Sequence, residues 1–353
     1  MVRGARATSS RLPAAVAPLA LVGLVSLGAC SDASTAVSPV TAITPPTTPT
    51  APGLSPSVTS ASVNALSGAT FWVDPYSNAK QTANAWRTTR PADAVQMDKV
   101  GAGASAQWIG NWNANVQGDV DAAVTTVTRA GALPVFVAYN IPQRDCGGLS
   151  GGTTTIDAYK SWITAFANGI GSRRAAVVLE PDALAAMDCL SAADQQTRLS
   201  LLNFAVQTLA AKGSITVYLD AGHPGWQSAT TMASRLVGAG VAMAQGFSLN
   251  VSNFLSTHDN MSYGAQISSL VGGKHFVIDT GRNGLGPTAD YQWCNPAGRA
   301  LGTRPATQTG NVLVDAFLWI KTPGESDGAC NGAPSAGTWM PEYALGLAQR
   351  AAY

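Results

Sequence analysis

The chain has 353 residues, enough for one large α/β domain with appendages. Hydrophobic residues make up 46% and charged residues 12%, about half the charge of ordinary soluble domains, and the formal net charge is +1. This balance excludes the basic footprint of a nucleic-acid binder; together with abundant Gly, Ala, Ser and Thr it suits an extracellular protein whose partner is neutral.

In chain order, Arg3, Arg6 and Arg11 precede an apolar run from Ala14 to Leu27, which ends in Leu27-Gly28-Ala29-Cys30. A basic start and a short apolar stretch read as an export signal over residues 1–30, too short to span a bilayer comfortably. The final tetrapeptide resembles a lipobox, in which Cys30 would carry lipid; an ordinary cleaved signal with an incidental cysteine is the other reading. Residues 31–66 form a Pro/Thr/Ser-rich linker that includes Pro45-Pro46-Thr47-Thr48-Pro49 and cannot bury a core. The remainder, 67–353, reads as one catalytic domain, with no internal repeat and no second globular unit.

Five cysteines are an odd number for an exported chain. With Cys30 lipidated, Cys146, Cys189, Cys294 and Cys330 remain for two disulfides, and three connectivities are possible. The pairing Cys146–Cys189 and Cys294–Cys330 is favoured because each closes a segment flanking a suspected active-site loop. No Cys-x-x-Cys spacing occurs, which argues against a thiolate zinc site.

From about residue 69, short apolar runs alternate with helical stretches. The candidate strands are 71–73, 107–109, 135–139, 176–179, 215–219, 246–249, 276–278 and 316–320. They are rich in β-branched and aromatic residues and almost continuously apolar, as buried parallel strands should be. Helical patterns fall at about 78–99, 119–131, 156–170, 191–212, 228–239, 261–271 and 341–352, with Ser191 and Asp194 placed as an N-terminal cap. Strict alternation of this kind predicts a (β/α) barrel or a close relative.

Polar residues concentrate where the strands end. Asp145 follows the third strand, Glu180-Pro181-Asp182 the fourth, and Asp220-Ala221-Gly222-His223 the fifth. Asn250 and Asn253 follow the sixth, Asp279 and Arg282 the seventh, and Lys321, Glu325 and Asp327 the last. A single Asp after a strand is commonly a cap or turn former, whereas a polar residue at six successive strand ends is a cluster. In a parallel barrel these ends converge on the C-terminal face, where catalytic groups sit. Crowded carboxylates raise one another's pKa, which is what a general acid needs near neutral pH, and paired carboxylates are the machinery of glycoside hydrolysis. Trp108, Trp112, Trp226 and Trp293 fall beside these positions, and an indole face stacks on a pyranose ring. Trp162 and Trp319 are placed as core residues instead.

These motifs resemble glycoside hydrolase family 6, the cellobiohydrolases and endoglucanases that act on cellulose. The resemblance covers residues 69–353 and rests on the Tyr139–Cys146 stretch, Leu179-Glu180-Pro181-Asp182, Leu219-Asp220-Ala221-Gly222-His223, Asp279-Thr280-Gly281-Arg282-Asn283-Gly284, Trp293-Cys294-Asn295-Pro296, and Trp319-Ile320-Lys321 through Asp327-Gly328. It implies a distorted, partly open (β/α) barrel of about seven parallel strands, so one of the eight candidates should be peripheral. It also implies inversion of anomeric configuration with no metal and no cofactor. Asp182 would be the general acid, Asp145 the carboxylate that raises the acid's pKa and helps activate water, Asp327 the proposed base, and Asp220 a further carboxylate of the site. Tyr139 would lie under the reactive sugar, while Trp108, Trp226, Trp293, Lys321, Glu325, Asn253 and His223 would contact substrate. The family often has a serine six residues after the equivalent of Asp145; here that position is Gly151, and Ser150 is the nearest hydroxyl for holding water.

Only 36 positions separate Cys294 from Cys330, which reads as a short loop, an open cleft and internal cleavage of β-1,4-glucan. An exo-acting cellobiohydrolase and a non-catalytic glucan-binding lipoprotein are the alternatives. A metal-dependent hydrolase built on Asp220, His223 and Asp327 is the weaker reading, since the chain has three histidines and no ligand-type spacing. The expected partner is β-1,4-glucan or its oligosaccharides, without nucleic acid, and with a membrane only through a lipid on Cys30. Without a visible cellulose-binding module, soluble or amorphous glucan is favoured.

Overall fold

The computed structural model describes residues 63–144, 146 and 155–353. The segment read as an export signal, Cys30, almost all of the linker, Asp145 and Ser150 lie outside the described residues.

Seven strands run parallel in one sheet, in the order in which they occur along the chain: β1 (Gln107–Gly110), β2 (Val135–Tyr139), β3 (Ala175–Leu179), β4 (Ile215–Asp220), β5 (Gly246–Leu249), β6 (His275–Asp279) and β7 (Val314–Leu318). The helices are α1 (Asn78–Trp86), α2 (Pro91–Gly101), α3 (Val116–Arg129), α4 (Ile156–Ile170), α5 (Ala192–Ala210), α6 (Ala229–Gly238), α7 (Thr257–Leu270) and α8 (Pro341–Gln349). Each strand is buried on both faces, yet the two faces still alternate. Phe136, Ala138, Val177, Leu179, Val217 and Leu219 pack outward with helix residues such as Ile163, Phe166 and Leu202. Val137, Tyr139, Ala176, Val178, Tyr218 and Val277 pack inward on one another. The same parity carries Glu180, Asp220 and Asp279 into the interior at the C-terminal mouth, where they are 1%, 1% and 2% exposed.

The sheet curls without closing fully. One isolated bridge, between Ser105 and Trp319, joins its two edges, supported by the Ala106 N–H on the Trp319 carbonyl at 2.9 Å and Trp108 Nε1 on the Ile320 carbonyl at 2.8 Å. At the opposite end the buried Asp315 carboxylate accepts from the Tyr218 hydroxyl at 2.6 Å and Gln245 Nε2 at 3.0 Å, and lies 2.7 Å from His275 Nδ1. Asn64 Nδ2 donates to the Asp315 carbonyl at 2.9 Å and Leu66 is fully buried, so the chain is already part of the packed unit there.

Two sequence expectations need correction. The run 71–73 is no strand: Phe71 makes a single parallel bridge to Leu133 before the turn at Pro75-Tyr76 leads into α1. It is the peripheral eighth candidate. The stretch 78–99 is two helices, because Arg90 precedes Pro91 and is driven out of helical geometry, to φ −141°, while Pro91 starts α2. The cap at Ser191 forms as expected, its Oγ accepting from the Asp194 N–H at 3.2 Å.

The β5–β6 contact tolerates no side chain at Gly246, where a Cβ would lie 1.7 Å from the His275 carbonyl oxygen. Gly246→Ala should therefore lower stability by about 3 kcal/mol or prevent folding. Thermal unfolding reads this, and an unchanged melting temperature would contradict the register described.

Candidate active site

A cleft of about 930 Å3 crosses the C-terminal mouth. Of the expected site residues, Trp108, Tyr139, Asp182, His223, Trp226, Asn253, Trp293, Lys321, Glu325 and Asp327 line it, although they come from strands β1 and β2 and from the loops after five further strands, β3 to β7. Asp220 does not. It lies beneath the floor, with Oδ2 accepting from the Asp182 N–H at 3.0 Å and the Gly222 N–H at 3.1 Å, and Oδ1 from Ser248 Oγ at 3.1 Å. It holds the backbone of Asp182 rather than facing the cleft.

The turn that presents Asp182 is unusual. Glu180 and Asp182 adopt φ of +51° and +70° on either side of Pro181. Left-handed backbone is uncommon in Glu, and it persists where surrounding contacts over-determine it. The two peptide flips lift Asp182 off the parity of β3, which would otherwise bury its side chain with Glu180. Asp182 is half-buried and Glu180 is sealed in.

Asp327 also lines the cleft, from the loop after β7. Its Oδ2 accepts from Arg282 Nη1 at 2.8 Å and from the Asn295 N–H at 2.9 Å, while Asn295 Oδ1 accepts from the Asp327 N–H at 2.8 Å. Asp327 Oδ1 is buried and makes no hydrogen bond among the described residues. Beside it, the Lys321 ammonium lies 3.8 Å from Glu325 Oε2 and donates to the Ser326 carbonyl at 3.0 Å. Burial lowers the Lys321 pKa and raises that of Glu325, the latter against the pull of Lys321 and Arg282. Asp279, below them, accepts N–H groups from Lys321 at 2.9 Å, Gly281 at 2.9 Å and Ser252 at 3.1 Å.

The aromatic surfaces are of two kinds. Trp108 is packed edge-on against Tyr139 at 5.2 Å, whereas Trp112, Trp226 and Trp293 are 56%, 41% and 52% exposed. His223 lies 5.6 Å from Trp226, and its Nδ1 accepts from the Gly225 N–H at 3.2 Å. Burial lowers its pKa to about 4, so the ring is neutral above that pH and Nε2 carries the proton. Trp319 is a core residue, as expected, and Trp162 packs on Phe166. Among the cleft residues that had not been singled out are Arg144 and Tyr291. Arg144, whose guanidinium lies 4.0 Å over the Tyr139 ring, was visible only as part of the Tyr139–Cys146 stretch. Tyr291 is 63% exposed, and the one available signal was its position two residues before Trp293.

Disulfides join Cys146 to Cys189, tying the β2 loop to the segment after β3, and Cys294 to Cys330, tying the β6 loop to the β7 loop. Among the described residues no three His, Cys, Asp or Glu side chains come together as metal ligands, and Asp220, His223 and Asp327 do not converge. An acid-bearing cleft with half-exposed indoles, at the mouth of an open parallel barrel, defines a carbohydrate-active class of protein.

A sequence model of the glycosyl hydrolases family 6 matches residues 66–351. Endoglucanase A of Cellulomonas fimi is 44% identical over 284 residues, which are 80% of this chain and 61% of that protein. Endoglucanase 1 of Streptomyces halstedii is 40% identical over 287 residues, 78% of this chain and 87% of that protein. The endoglucanase Cel6 from Mycobacterium tuberculosis, solved in complex with methyl-cellobiosyl-4-deoxy-4-thio-β-D-cellobioside, aligns with a TM-score of 0.77 at 45% identity, covering 81% of this chain and 99% of that one. The chain belongs to glycosyl hydrolase family 6. It spans about three fifths of the length of the Cellulomonas relative.

The buried carboxyls have a consequence for stability. Burial pushes Glu180 up to about 7 and Asp220 up to about 6, so from about pH 4 upward the folded chain retains protons that the unfolded chain has released. Their contribution is complete below the unfolded pKa values and is lost as the pH rises through the folded ones. The surface carboxylates Asp188 and Glu342, held low by hydrogen bonds from Gln227 and Arg90, act oppositely and only in stronger acid. The melting temperature should fall between about pH 5 and about pH 8, and fall less in Glu180→Gln. A flat or rising profile would contradict the burial of these groups.

Proposed function

We propose that this protein is an inverting endo-β-1,4-glucanase that hydrolyses cellulose or soluble β-1,4-glucan. The observation that carries the reading is that Asp182 and Asp327 line one open cleft together with half-exposed indoles. Asp182 donates its proton to the glycosidic oxygen as the bond from C1 to that oxygen breaks, and water attacks C1 from the opposite face. Proton release from that water falls to the carboxylates at 145 and 327, with Ser150 holding the water. Arg282 and Asn295 occupy one oxygen of Asp327, and Oδ1 makes no hydrogen bond among the described residues. Tyr139 supports the distorted ring, and Asp220 acts through the Asp182 backbone. Trp108, Trp226 and Trp293 stack on glucose units, and His223, Asn253, Lys321 and Glu325 hydrogen-bond their hydroxyls.

Internal cleavage is supported by exposure, because a roofed tunnel would bury its stacking platforms, and two of these indoles, Trp226 and Trp293, remain about half exposed, as does Trp112 in the same cleft. Export by residues 1–30, release or lipid anchoring at Cys30, and display on the linker complete the proposal of a secreted or cell-surface enzyme.

Asp182→Asn should lower reducing-end release from carboxymethylcellulose by roughly 10²- to 10⁴-fold with an unchanged melting temperature. Near-parental activity would remove Asp182 from its role. Viscosity should collapse early relative to bonds cut, since internal scission shortens chains fastest; proportionate loss would mean action from chain ends. Proton NMR of fresh product should show the α-anomer first, and initial β-anomer would exclude inversion.

A further inference from the structure

Glu180 takes no part in the chemistry above. It does not line the cleft, and it lies two residues before Asp182 with 1% of its surface exposed. Its carboxylate is nevertheless fully engaged. Oε1 and Oε2 accept from the Asn140 N–H at 3.0 and 2.9 Å, and Oε2 also accepts from the Ile141 N–H at 3.0 Å. Arg198 on α5, 2% exposed, supplies the complement. Its Nη2 donates to the carbonyls of Pro142 at 2.9 Å and Gln143 at 2.8 Å, and its Nη1 to the Ala183 carbonyl at 2.8 Å.

A carboxylate thus takes the N–H groups of residues 140–141, and a guanidinium takes the carbonyls of residues 142–143. Both groups are also fixed to the acid's segment: Glu180 belongs to its turn, and Arg198 holds the residue that follows Asp182. The clamped stretch leaves directly from Tyr139. Gln143 within it and Glu180 beside it adopt left-handed φ of +53° and +51°, which their surroundings must enforce. Arg144 Nη1 donates to the Tyr139 carbonyl at 2.9 Å, fixing the start of the stretch. Sealing two ionisable groups away from water carries a desolvation cost that well-packed apolar residues would avoid. A role in geometry accounts for their presence.

The geometry points to Glu180 and Arg198 as positioning residues for hydrolysis: together they set the offset between the segment leaving Tyr139 and the turn carrying Asp182, and so the placement of the acid against the bond it protonates. This inference rests on Asp182 being the acid. A displacement of about 1 Å in such a group is enough to cost about 100-fold in rate.

The test compares two substrates in the full-length protein: cellohexaose, whose departing sugar needs a proton, and 2,4-dinitrophenyl β-cellobioside, whose leaving group does not. In Glu180→Gln, kcat on cellohexaose should fall roughly 10- to 100-fold with KM within about twofold, while hydrolysis of the aryl glycoside falls by about threefold or less. Equal losses on both substrates, or an unchanged kcat, would overturn the inference. Asp182→Asn in the same assay should show the selective pattern more strongly; if it retains activity on cellohexaose, the acid assignment fails independently of Glu180. Should Glu180→Gln not fold, Arg198→Lys keeps the charge but loses the fork that spans two carbonyls. The same selective loss is expected there, and equal losses again overturn the inference.

Discussion

Where parallel strands stop, the N–H groups of the emerging chain lose their ladder partners, and each must find another acceptor or remain buried and unsatisfied. In this barrel three carboxylates take them. Glu180, just past β3, receives N–H groups from the end of β2; Asp220, ending β4, receives that of Asp182; Asp279, ending β6, receives those leaving β5 and β7. Of the two remaining neighbour pairs, β4 with β5 is joined by Ser248 Oγ on Asp220. The rim on which the site is built is therefore stitched by hydrogen bonds accepted by side chains of a single inward-facing layer.

This arrangement divides the acidic residues into two populations. Those of the strand parity lie under the floor and hold backbone; those displaced from it by turns, Asp182 and Asp327, face the cleft. The second group is arranged by the first, because the Asp182 N–H ends on Asp220 and the Lys321 N–H on Asp279. The Arg282–Asp327 pair does the same for the loop after β7, with both side chains almost wholly buried and Asn295 bonded reciprocally to Asp327. Rigid support beneath a solvent-filled groove suits a reaction in which the proton donor must already be in place.

Much of the fold was legible because buried parallel strands leave apolar runs of recognisable length, and the stops between them were marked by polar residues. The failures have local causes. Phe71-Trp72-Val73 has strand composition but only one residue beside a partner, and composition carries no information about the partner. The break at Pro91 was visible in principle and was outweighed by the helical pattern on either side. Within the site, strand ends pointed to most of the ten residues that line one cleft, and Tyr139 was added by the family resemblance. What could not be read was which carboxylate sinks and which rises. Asp182 and Asp220 each stand at the end of a strand, and their different fates depend on the left-handed turn at Glu180 and Asp182, which no residue type there announces. Tyr291 is a similar case, an exposed aromatic at φ +54°. Cysteine count alone left three pairings, and proximity to suspected loops selected the one the structure contains.

The bond between Cys294 and Cys330 closes a covalent loop that contains Asp327 and starts one residue after Trp293, so each lies within three residues of a sulfur. A stacking platform and a carboxylate that belong to different strand connections are thereby made a single unit. While those thiols remain reduced, that unit is held by non-covalent contacts, among them the Asn295–Asp327 hydrogen bonds, the Arg282–Asp327 pair and the Asn331 amide on the Cys294 carbonyl. Oxidation is thus part of assembling the groove, and the chain reaches its finished shape only in a compartment that permits it.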